Sequence, residues 1–285
     1  MQVTRLTTYP VKSMGSEDVP SAQVAPEGLV GDRRWVVLDP DGNRVSATHC
    51  HQLLGFLATH YPAGLQISAR DGATVRVETP GSDARRISTG MSRVDQLSAA
   101  DDDASAWLSE RLGRPVVLAY QGDGDVREIG ESHGGRPGER MRLADAGPIL
   151  LVTEASLARL GDWVAETQQQ EWLDPGEAAR RFRPNVVVDG GEPFAEDDWF
   201  RVRIGDVTFR RGELCDRCVI TTIDLDTLET THEPIRTLAR HRKWDGYTWF
   251  GVRLIPEFEK DAGTSRITVG DPVEVLQTRP LGVSA

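Results

Sequence analysis

The stretch Glu213-Leu-Cys-Asp-Arg-Cys-Val-Ile-Thr-Thr-Ile-Asp-Leu-Asp-Thr227 contains two of the three cysteines of the chain. Its β-branched run from Val219 to Ile223 favours a strand, which predicts that Cys218 stands at a strand entrance, held by ladder hydrogen bonds. Arg217 and the pair Arg210-Arg211 supply nearby positive charge, and this favours the thiolate that attacks substrates or binds metals. We therefore expect Cys218 to carry the chemistry of the protein.

Three other interpretations of Cys215 and Cys218 stay open from the residues alone. A zinc site needs four ligands, and the absence of a second Cys-x-x-Cys pair disfavours zinc. A redox dithiol fits the spacing, although such motifs normally open a helix after a strand, whereas this pair precedes a strand-like run. Both cysteines could also be buried, inert apolar residues.

Composition narrows the class of protein. The 285 residues, 39% of them hydrophobic, suffice for one large domain or two. A net charge of -11 argues against a nucleic-acid binder, which needs clustered surplus Lys and Arg. The chain has no run of 18 apolar residues and no apolar core of a secretion signal near its start. We expect a cytoplasmic protein without nucleic-acid or membrane partners, and the odd cysteine count fits a reducing compartment.

Turn signals and β-branched segments predominate in the first third of the sequence. Asp41-Gly42 and Asp71-Gly72 predict hairpins between short strands. One amphipathic helix is predicted from Asp102 to Leu112, and Gly113 should end it. His49-Cys50-His51 would place both imidazoles on one face if the segment were extended, but two histidines alone are a weak metal signal.

The sequence predicts an α+β fold that is predominantly β and is divided into two parts. Periodicity ends in the glycine-rich polar stretch that includes Glu131 to Gly138, which is typical of a mobile loop. We place a domain boundary there, with predicted domains at residues 1–121 and 122–285. Asp174-Pro175 predicts another helix start, since proline fits the first helical position.

Several polar residues stand at the ends of predicted elements, where they could meet an anion. Lys12 lies near the end of the first predicted strand, which runs from Val3 to Ser13, and Thr153 caps a helix that follows the strand from Ile149 to Val152. Arg183 lies at a helix-to-strand junction, from which its guanidinium could bind a phosphate or a carboxylate. Each of these residues taken singly is more simply a solvated side chain or a structural cap.

Several short motifs, taken in order, resemble one known family nearly from end to end. This is the group of proteins in which a MOSC domain follows a MOSC N-terminal β-barrel domain, and it includes the mitochondrial amidoxime-reducing component and its bacterial relatives. The motifs are Tyr9-Pro-Val-Lys-Ser13, Gly31-Asp-Arg-Arg-Trp35, Leu151-Val-Thr-Glu-Ala-Ser-Leu157, Phe182-Arg-Pro-Asn-Val186, Cys215-Asp-Arg-Cys218 with Thr221-Thr-Ile-Asp224, and Val269-Gly-Asp-Pro-Val273.

The resemblance implies barrel-like β domains, a smaller one at the N-terminus, and binding of the molybdenum cofactor, a molybdopterin whose dithiolene holds the metal. Cys218 matches the family cysteine that ligates molybdenum directly, a role that suits a soft thiolate. The residues that the resemblance assigns to cofactor binding are Lys12, Ser13 and Arg33 in the first domain, Thr153 and Ser156 at a helix start, Arg183 and Asn185 in the Arg-Pro-Asn motif, and Asp216 and Arg217 beside the cysteine.

Members of this family reduce N-hydroxylated and other N-oxygenated small molecules, taking two electrons from a partner. This chain has Ser46-Ala47-Thr48 where the amidoxime-reducing members carry Thr-Ala-Arg, so a basic residue is missing from that wall. We expect this missing basic residue to affect the substrate range and the affinity for the cofactor. No cysteine cluster for iron and sulfur is present, and we expect an external electron donor of the flavin reductase, ferredoxin or cytochrome type.

The resemblance supports two functions of different classes. The first is a molybdenum-cofactor-dependent oxidoreductase that acts on N-oxygenated small molecules through Cys218. The second is a molybdenum-cofactor or sulfur carrier, in which Cys218 holds a persulfide or passes molybdopterin on without turnover. A plain dithiol protein that uses Cys215 and Cys218 is a third.

Overall fold

The computed structural model describes residues 1–168, 172–258 and 264–280, and strands dominate it, which confirms the predominantly β, α+β fold. The strands are β1 (Val3–Thr8), β2 (Glu17–Asp18), β3 (Ser21–Ala25), β4 (Gly28–Leu29), β5 (Trp35–Leu38), β6 (Leu57–Tyr61), β7 (Gly64–Ser68), β8 (Thr74–Glu78), β9 (Arg86–Ser88), β10 (Gln96–Ala99), β11 (Val117–Tyr120), β12 (Ile149–Thr153), β13 (Val186–Val188), β14 (Trp199–Ile204), β15 (Val207–Asp216), β16 (Lys243–Trp244), β17 (Tyr247–Glu257), β18 (Ser265–Thr268) and β19 (Val273–Thr278).

The α-helices within the described residues are fewer and short. They are α1 (Asp102–Leu112), α2 (Glu154–Gln168), α3 (Pro175–Phe182) and α4 (Ile235–His241). Single turns of 3₁₀-helix cover His51–Gly55, Glu131–His133, Ala195–Asp198 and Val219–Thr222.

The largest sheet has the strand order β19-β14-β15-β17-β12-β13-β1-β2, and β16 pairs with β17. Its strands are antiparallel except for the parallel pair β12 and β13. A parallel pair needs a long crossover, and α2 and α3 provide it. One core of the protein lies on this sheet, and a second is formed by the three C-terminal helices with Phe182 and Phe250, whose rings stack at 4.3 Å.

The helix α1 confirms the prediction for Asp102 to Leu112 at both ends. The Asp101 side chain accepts a hydrogen bond from the Ala104 amide at 2.7 Å, and Gly113 ends the helix in the left-handed conformation, with φ of 64°. Leu108 is buried in the core that α1 shares with the strands of the first half. The smaller sheets of this half have the orders β5-β11-β10-β9 and β6-β7-β8.

The strand predicted from Val219 to Ile223 is wrong. β15 ends at Asp216, and Val219–Thr222 forms a 3₁₀ turn. The Thr221 and Thr222 hydroxyls donate to the carbonyls of Cys218 and Val219 at 3.1 and 2.7 Å. Such local bonds offer the backbone an alternative to a strand ladder, so Cys218 precedes a turn and not a strand.

Strands near the start of the chain pair with strands of its second half. β1 pairs with β13, and β3 pairs with β18, so the first residues join sheets built from the second half. The predicted boundary between residues 1–121 and 122–285 stays a prediction, and residues 281–285 lie outside the described part. This pairing positions the end of β1, with the motif that follows it, beside strands of the second half.

Candidate functional site

A cavity of about 470 Å³ is lined by residues from both halves of the chain. It gathers residues that the sequence places more than 200 positions apart, and it includes most of the predicted site. The predicted residues on its wall are Lys12, Ser13, Arg33, Arg183, Asn185, Asp216, Arg217 and Cys218.

The Cys218 thiol is exposed, whereas Cys215, which also lines the cavity, is buried. The two thiols therefore differ in solvent exposure although only two residues separate them. Cys218 follows the end of β15 in an extended conformation, with φ of -107°, before the 3₁₀ turn. Its place on the cavity wall makes it the accessible thiol of the pair.

Hydrogen bonds hold the guanidinium of Arg217, next to Cys218, in a fixed position. Its Nε donates to the Phe250 carbonyl at 2.8 Å, its Nη1 donates to the Phe182 carbonyl at 3.1 Å, and the guanidinium lies 5.1 Å from the Phe182 ring centroid. Burial lowers the pKa of Arg217. Its Nη2 is buried without a hydrogen-bond partner among the described residues, and an anionic ligand in the cavity would satisfy such a group.

Arg183 is a second cavity cation, and no carboxylate among the described residues pairs with it. It ends α3 in the left-handed conformation, with φ of 58°, which places it at the predicted junction before β13. Its guanidinium lies 4.3 Å from the Tyr9 ring centroid. Burial lowers the pKa of Arg183 to about 10 and raises that of Tyr9 to about 12.

Seven cationic side chains line the cavity, and most of them have carboxylate partners. Arg183 and Arg217 form no ion pair with any described residue. The paired cations are Lys12 and Arg44 with Asp145, Arg33 with Asp32, Arg181 with Asp224, and Arg253 with Glu213 and Asp216. The surplus positive charge suits an anion such as a phosphate.

Lys12 and Asp145 form an ion pair of unequal exposure. Nζ of Lys12 lies 2.6 Å from both the Leu143 carbonyl oxygen and Asp145 Oδ1, and the two side chains are 7% and 72% exposed. Burial lowers the pKa of Lys12 to about 8, despite the attraction of Asp145. The charge of Lys12 in turn holds the pKa of the Asp145 carboxyl well below its ordinary range.

Asn185 joins the two halves of the chain at the floor of the cavity. It is 1% exposed, and its side-chain amide donates to the Thr7 carbonyl and to Asp32 Oδ1, both at 3.1 Å. Its Oδ1 accepts from Arg33 Nη1 at 3.1 Å and from the Leu150 amide at 3.2 Å. All of these bonds are internal, so Asn185 fixes the position of Arg33 beside the cavity.

Thr153 and Ser156 do not line the cavity. Thr153 does cap α2, since its Oγ1 accepts from the Ser156 amide at 3.1 Å, as the sequence predicts. Both hydroxyls are fully buried and reach Glu196 Oε2, at 3.2 and 2.8 Å. The pKa of Glu196 is raised to about 6 by its burial. These two residues thus belong to an internal network around Glu196, separate from the cavity wall.

The structure adds residues that the sequence did not single out. His133 lies on the wall with Nδ1 2.9 Å from Glu213 Oε1, and Arg253 Nη2 contacts Asp216 Oδ1 at 2.7 Å. Arg44 reaches the same wall as Ser46-Ala47-Thr48, so this wall has a cation even though its expected position lacks one. His133 and Glu213 are 80 positions apart, and no local sequence pattern predicts such a pair.

The segment His49-Cys50-His51 is not extended, because a 3₁₀ turn begins at His51. His49 contacts the Thr48 hydroxyl, and His51 Nδ1 lies 3.0 Å from the Leu228 carbonyl oxygen. In the described ranges no three His, Cys, Asp or Glu side chains are placed to hold a metal ion.

The fold and the cavity define a class: a β-rich protein with an exposed thiol inside a cationic cavity shared by both halves of the chain. Residues 1–115 match the MOSC N-terminal beta barrel domain, and residues 138–274 match the MOSC domain. Within the described residues no helix is long and apolar enough to cross a membrane.

Amidoxime-reducing components and molybdenum cofactor sulfurases are among the curated relatives of this chain. Human mitochondrial amidoxime-reducing component 1 is 30% identical over 298 residues, which cover 96% of this chain and 82% of the relative. A molybdenum cofactor sulfurase of Danio rerio is 30% identical over 95% of this chain, which spans 34% of that protein. The chain thus spans about a third of the sulfurases that it matches. The YUAD protein from Bacillus subtilis aligns over 95% of this chain and 93% of its own, at a TM-score of 0.39 and 10% identity.

The chain belongs to the family of MOSC-domain proteins with a MOSC N-terminal β-barrel domain, the family of the mitochondrial amidoxime-reducing components. The resemblance noted in the sequence motifs is therefore confirmed.

Proposed function

We propose that the protein binds the molybdenum cofactor in this cavity and reduces N-hydroxylated and other N-oxygenated small molecules. The observation that carries the proposal is the exposed Cys218 thiol on the same wall as Arg183 and Arg217, two cations that no carboxylate of the described ranges neutralises. The names of the relatives, amidoxime-reducing components and molybdenum cofactor sulfurases, support a function connected with this cofactor.

The residues of the cavity fit the chemistry of this cofactor. A thiolate is a soft ligand, suited to a metal that already has sulfur ligands, so Cys218 would hold the molybdenum. Guanidinium groups bind phosphate through paired donors. Among the described residues, Nη2 of Arg217 has no hydrogen-bond partner, and the guanidinium of Arg183 lies over the Tyr9 ring without a carboxylate partner, so both can donate to a phosphate. The bound cofactor would supply the two-electron chemistry that removes oxygen from the substrate.

The remaining wall residues would position the cofactor. Lys12, Ser13 and Arg33 would hold the pterin and its phosphate from the first half, and Asp216 would border the site with its carboxylate oriented by Arg253. Thr153 and Ser156 would act indirectly, through the start of α2. Asn185 would contribute through Arg33, to which it is hydrogen-bonded.

The proposed reaction needs an external donor of two electrons, of the flavin reductase, ferredoxin or cytochrome type. The small N-oxygenated substrate would enter the cavity from solvent, which the exposed Cys218 thiol also reaches. A cytoplasmic location stays a prediction from the sequence.

Metal analysis and turnover test the proposal together. The protein is purified from a host that makes the cofactor, and we expect near-stoichiometric molybdenum, with reduction of amidoximes or hydroxylamines by an artificial donor. Cys218→Ser should lose the metal and the activity. Wild-type protein without molybdenum, or a Cys218→Ser variant that retains it, would overturn the assignment.

A cofactor or sulfur carrier is the second candidate, and the similarity to molybdenum cofactor sulfurases favours it. In this case Cys218 would hold a persulfide or pass molybdopterin on. The carrier function predicts cofactor-loaded protein that reduces no amidoxime or hydroxylamine with any artificial donor, yet transfers sulfur or cofactor to an apo-enzyme.

A further inference from the structure

The glycine-rich stretch Glu131–Gly138, expected to be a mobile loop, is docked on β15 beside the cavity. Gly134 adopts φ of +78°, and a Cβ added there would collide with the backbone of Gly212. Arg210 Nη1 donates to the Gly134 carbonyl at 2.8 Å. This close backbone approach fixes the position of the preceding residue, His133, on the cavity wall.

Glu213 fixes the orientation of the His133 ring. Nδ1 of His133 lies 2.9 Å from Glu213 Oε1, and the same oxygen accepts from Arg253. A carboxylate paired with a guanidinium only accepts hydrogen bonds, so Nδ1 must carry the hydrogen of this contact. The other ring nitrogen, Nε2, is then the position at which the imidazole gains and loses a proton.

The charged groups near this imidazole come from several elements. Glu213 and Asp216 stand on β15, and Arg253 stands on β17 and bridges the two carboxylates. Arg93 approaches Gly130 on the same side as the His133 ring. The His133 side chain is 35% exposed, so water can reach it, and it shares its cavity with Cys218.

We propose that His133 is the proton donor of the reductive reaction, with Glu213 as its positioning residue; this rests on the proposed function. Reduction of an N-hydroxy compound breaks the N–O bond, adds a hydrogen to nitrogen and releases water. It consumes two electrons, from the external donor, and two protons. One proton passes from Nε2 of His133 to the departing oxygen, the other comes from solvent, and solvent then reprotonates the imidazole.

Kinetics of the molybdenum-loaded full chain test the role of His133. We expect His133→Ala to lower kcat by about 10²–10⁴-fold, the typical contribution of a positioned acid, with little change in KM or molybdenum content. Added imidazole should restore part of the rate. His232→Ala, which changes an exposed histidine outside the cavity lining, should behave as wild type.

A second measurement does not depend on turnover. Nitrogen-15 spectra of the cofactor-free full chain should show the His133 hydrogen on Nδ1, and Glu213→Gln should shift this signal. A neutral ring with its hydrogen on Nε2 would overturn the proposed orientation.

The outcomes separate this proposal from the proposed function. A His133→Ala protein that keeps its full molybdenum content and more than half of the wild-type kcat would overturn the role of His133 but not the proposed function. Loss of molybdenum in this variant would also overturn the role of His133. Wild-type protein that lacks molybdenum or turnover would overturn the proposed function, and the role of His133 with it.

Discussion

Replacing Lys12 by methionine tests whether the cavity keeps a buried cation that destabilises the fold. The Lys12 side chain is 7% exposed, and burial lowers its pKa from 10.5 to about 8 even though Asp145 lies 2.6 Å away. The protonated lysine is therefore less stable in the folded protein than in the unfolded chain. A residue retained at such a cost is expected to serve binding, here of an anionic cofactor.

The size of the effect follows from the pKa difference. A fall from 10.5 to about 8 corresponds to about 3 kcal/mol at pH 7, since each unit is worth about 1.4 kcal/mol. Methionine leaves the Leu143 carbonyl without its donor, which costs about 1 kcal/mol. Asp145 is 72% exposed and keeps Arg44 at 3.0 Å, so it stays solvated and paired. We expect Lys12→Met to be more stable by about 2 kcal/mol at pH 7.

The stability of the wild-type protein should change with pH in one direction. The folded-state pKa of Lys12 is below the ordinary value, so the destabilisation by its buried charge is complete below about pH 8 and disappears as the pH rises to 10.5. Wild-type stability should therefore rise between these values, and the advantage of Lys12→Met should shrink over the same range.

Urea unfolding of the cofactor-free proteins measures both effects, because bound cofactor would stabilise the wild type selectively. Lys243→Met changes an exposed lysine and serves as the matched control, with no expected gain. A Lys12→Met protein less stable than wild type at pH 7, or one that keeps the wild-type rise above pH 8, would refute the reasoning.

Three further substitutions have expected outcomes. Cys215→Ala should keep most of its molybdenum in metal analysis, because Cys215 is buried and Cys218 has the exposed thiol. Asn185→Leu should lower the free energy of unfolding by about 3–5 kcal/mol in denaturant titration, because four buried hydrogen bonds are lost, two of them to the charged Arg33 and Asp32. Glu196→Gln should raise stability by up to about 2 kcal/mol at pH 7, because burial raises the pKa of Glu196 from 4.5 to about 6. Since that pKa is raised in the folded state, wild-type stability should fall between pH 4.5 and about 6, and urea unfolding across this range should show no such fall in the variant.

Each of these results could contradict the structure. Heavy loss of molybdenum in Cys215→Ala would overturn the assignment of a single protein ligand. An Asn185→Leu protein destabilised by less than about 1 kcal/mol would contradict the stabilising role of the four buried hydrogen bonds of Asn185. Glu131→Gln, at an exposed position, is the control for Glu196→Gln, and equal pH profiles of the two variants would contradict the role of Glu196.

Local signals predicted the elements whose ends are decided by nearby residues. The helix from Asp102 to Leu112 was correct because its cap and its glycine stop lie within two residues of it. Asp174-Pro175 likewise starts α3, with the Asp174 side chain accepting from two helix amides. The strand predicted from Val219 to Ile223 failed because β propensity is weak where threonine hydroxyls can bond locally to the backbone.

Most of the predicted site residues do line the cavity, but they were predicted only from the resemblance of the sequence motifs to a family. Spacing could not show that Thr153 and Ser156 turn away from the cavity, because their partner Glu196 lies about 40 residues further on. It also could not find His133, whose orientation depends on Glu213, a residue brought near by the docking of a loop on β15.

The sequence by itself determined the predominantly β fold, the helix caps and the cysteine with its neighbouring arginine. The reason is that strand propensity, helix capping and turn formation each depend on only a few consecutive residues. Only the tertiary structure decided which cations are neutralised. Asp145 pairs with Lys12, and Asp32 is held beside Arg33 by Asn185, whereas Arg183 and Arg217 have no carboxylate partner among the described residues. The Lys12–Asp145 pair and the Asn185–Asp32 hydrogen bond each join segments more than 100 residues apart, and such contacts, which the sequence does not show, leave the positive charge at the cavity.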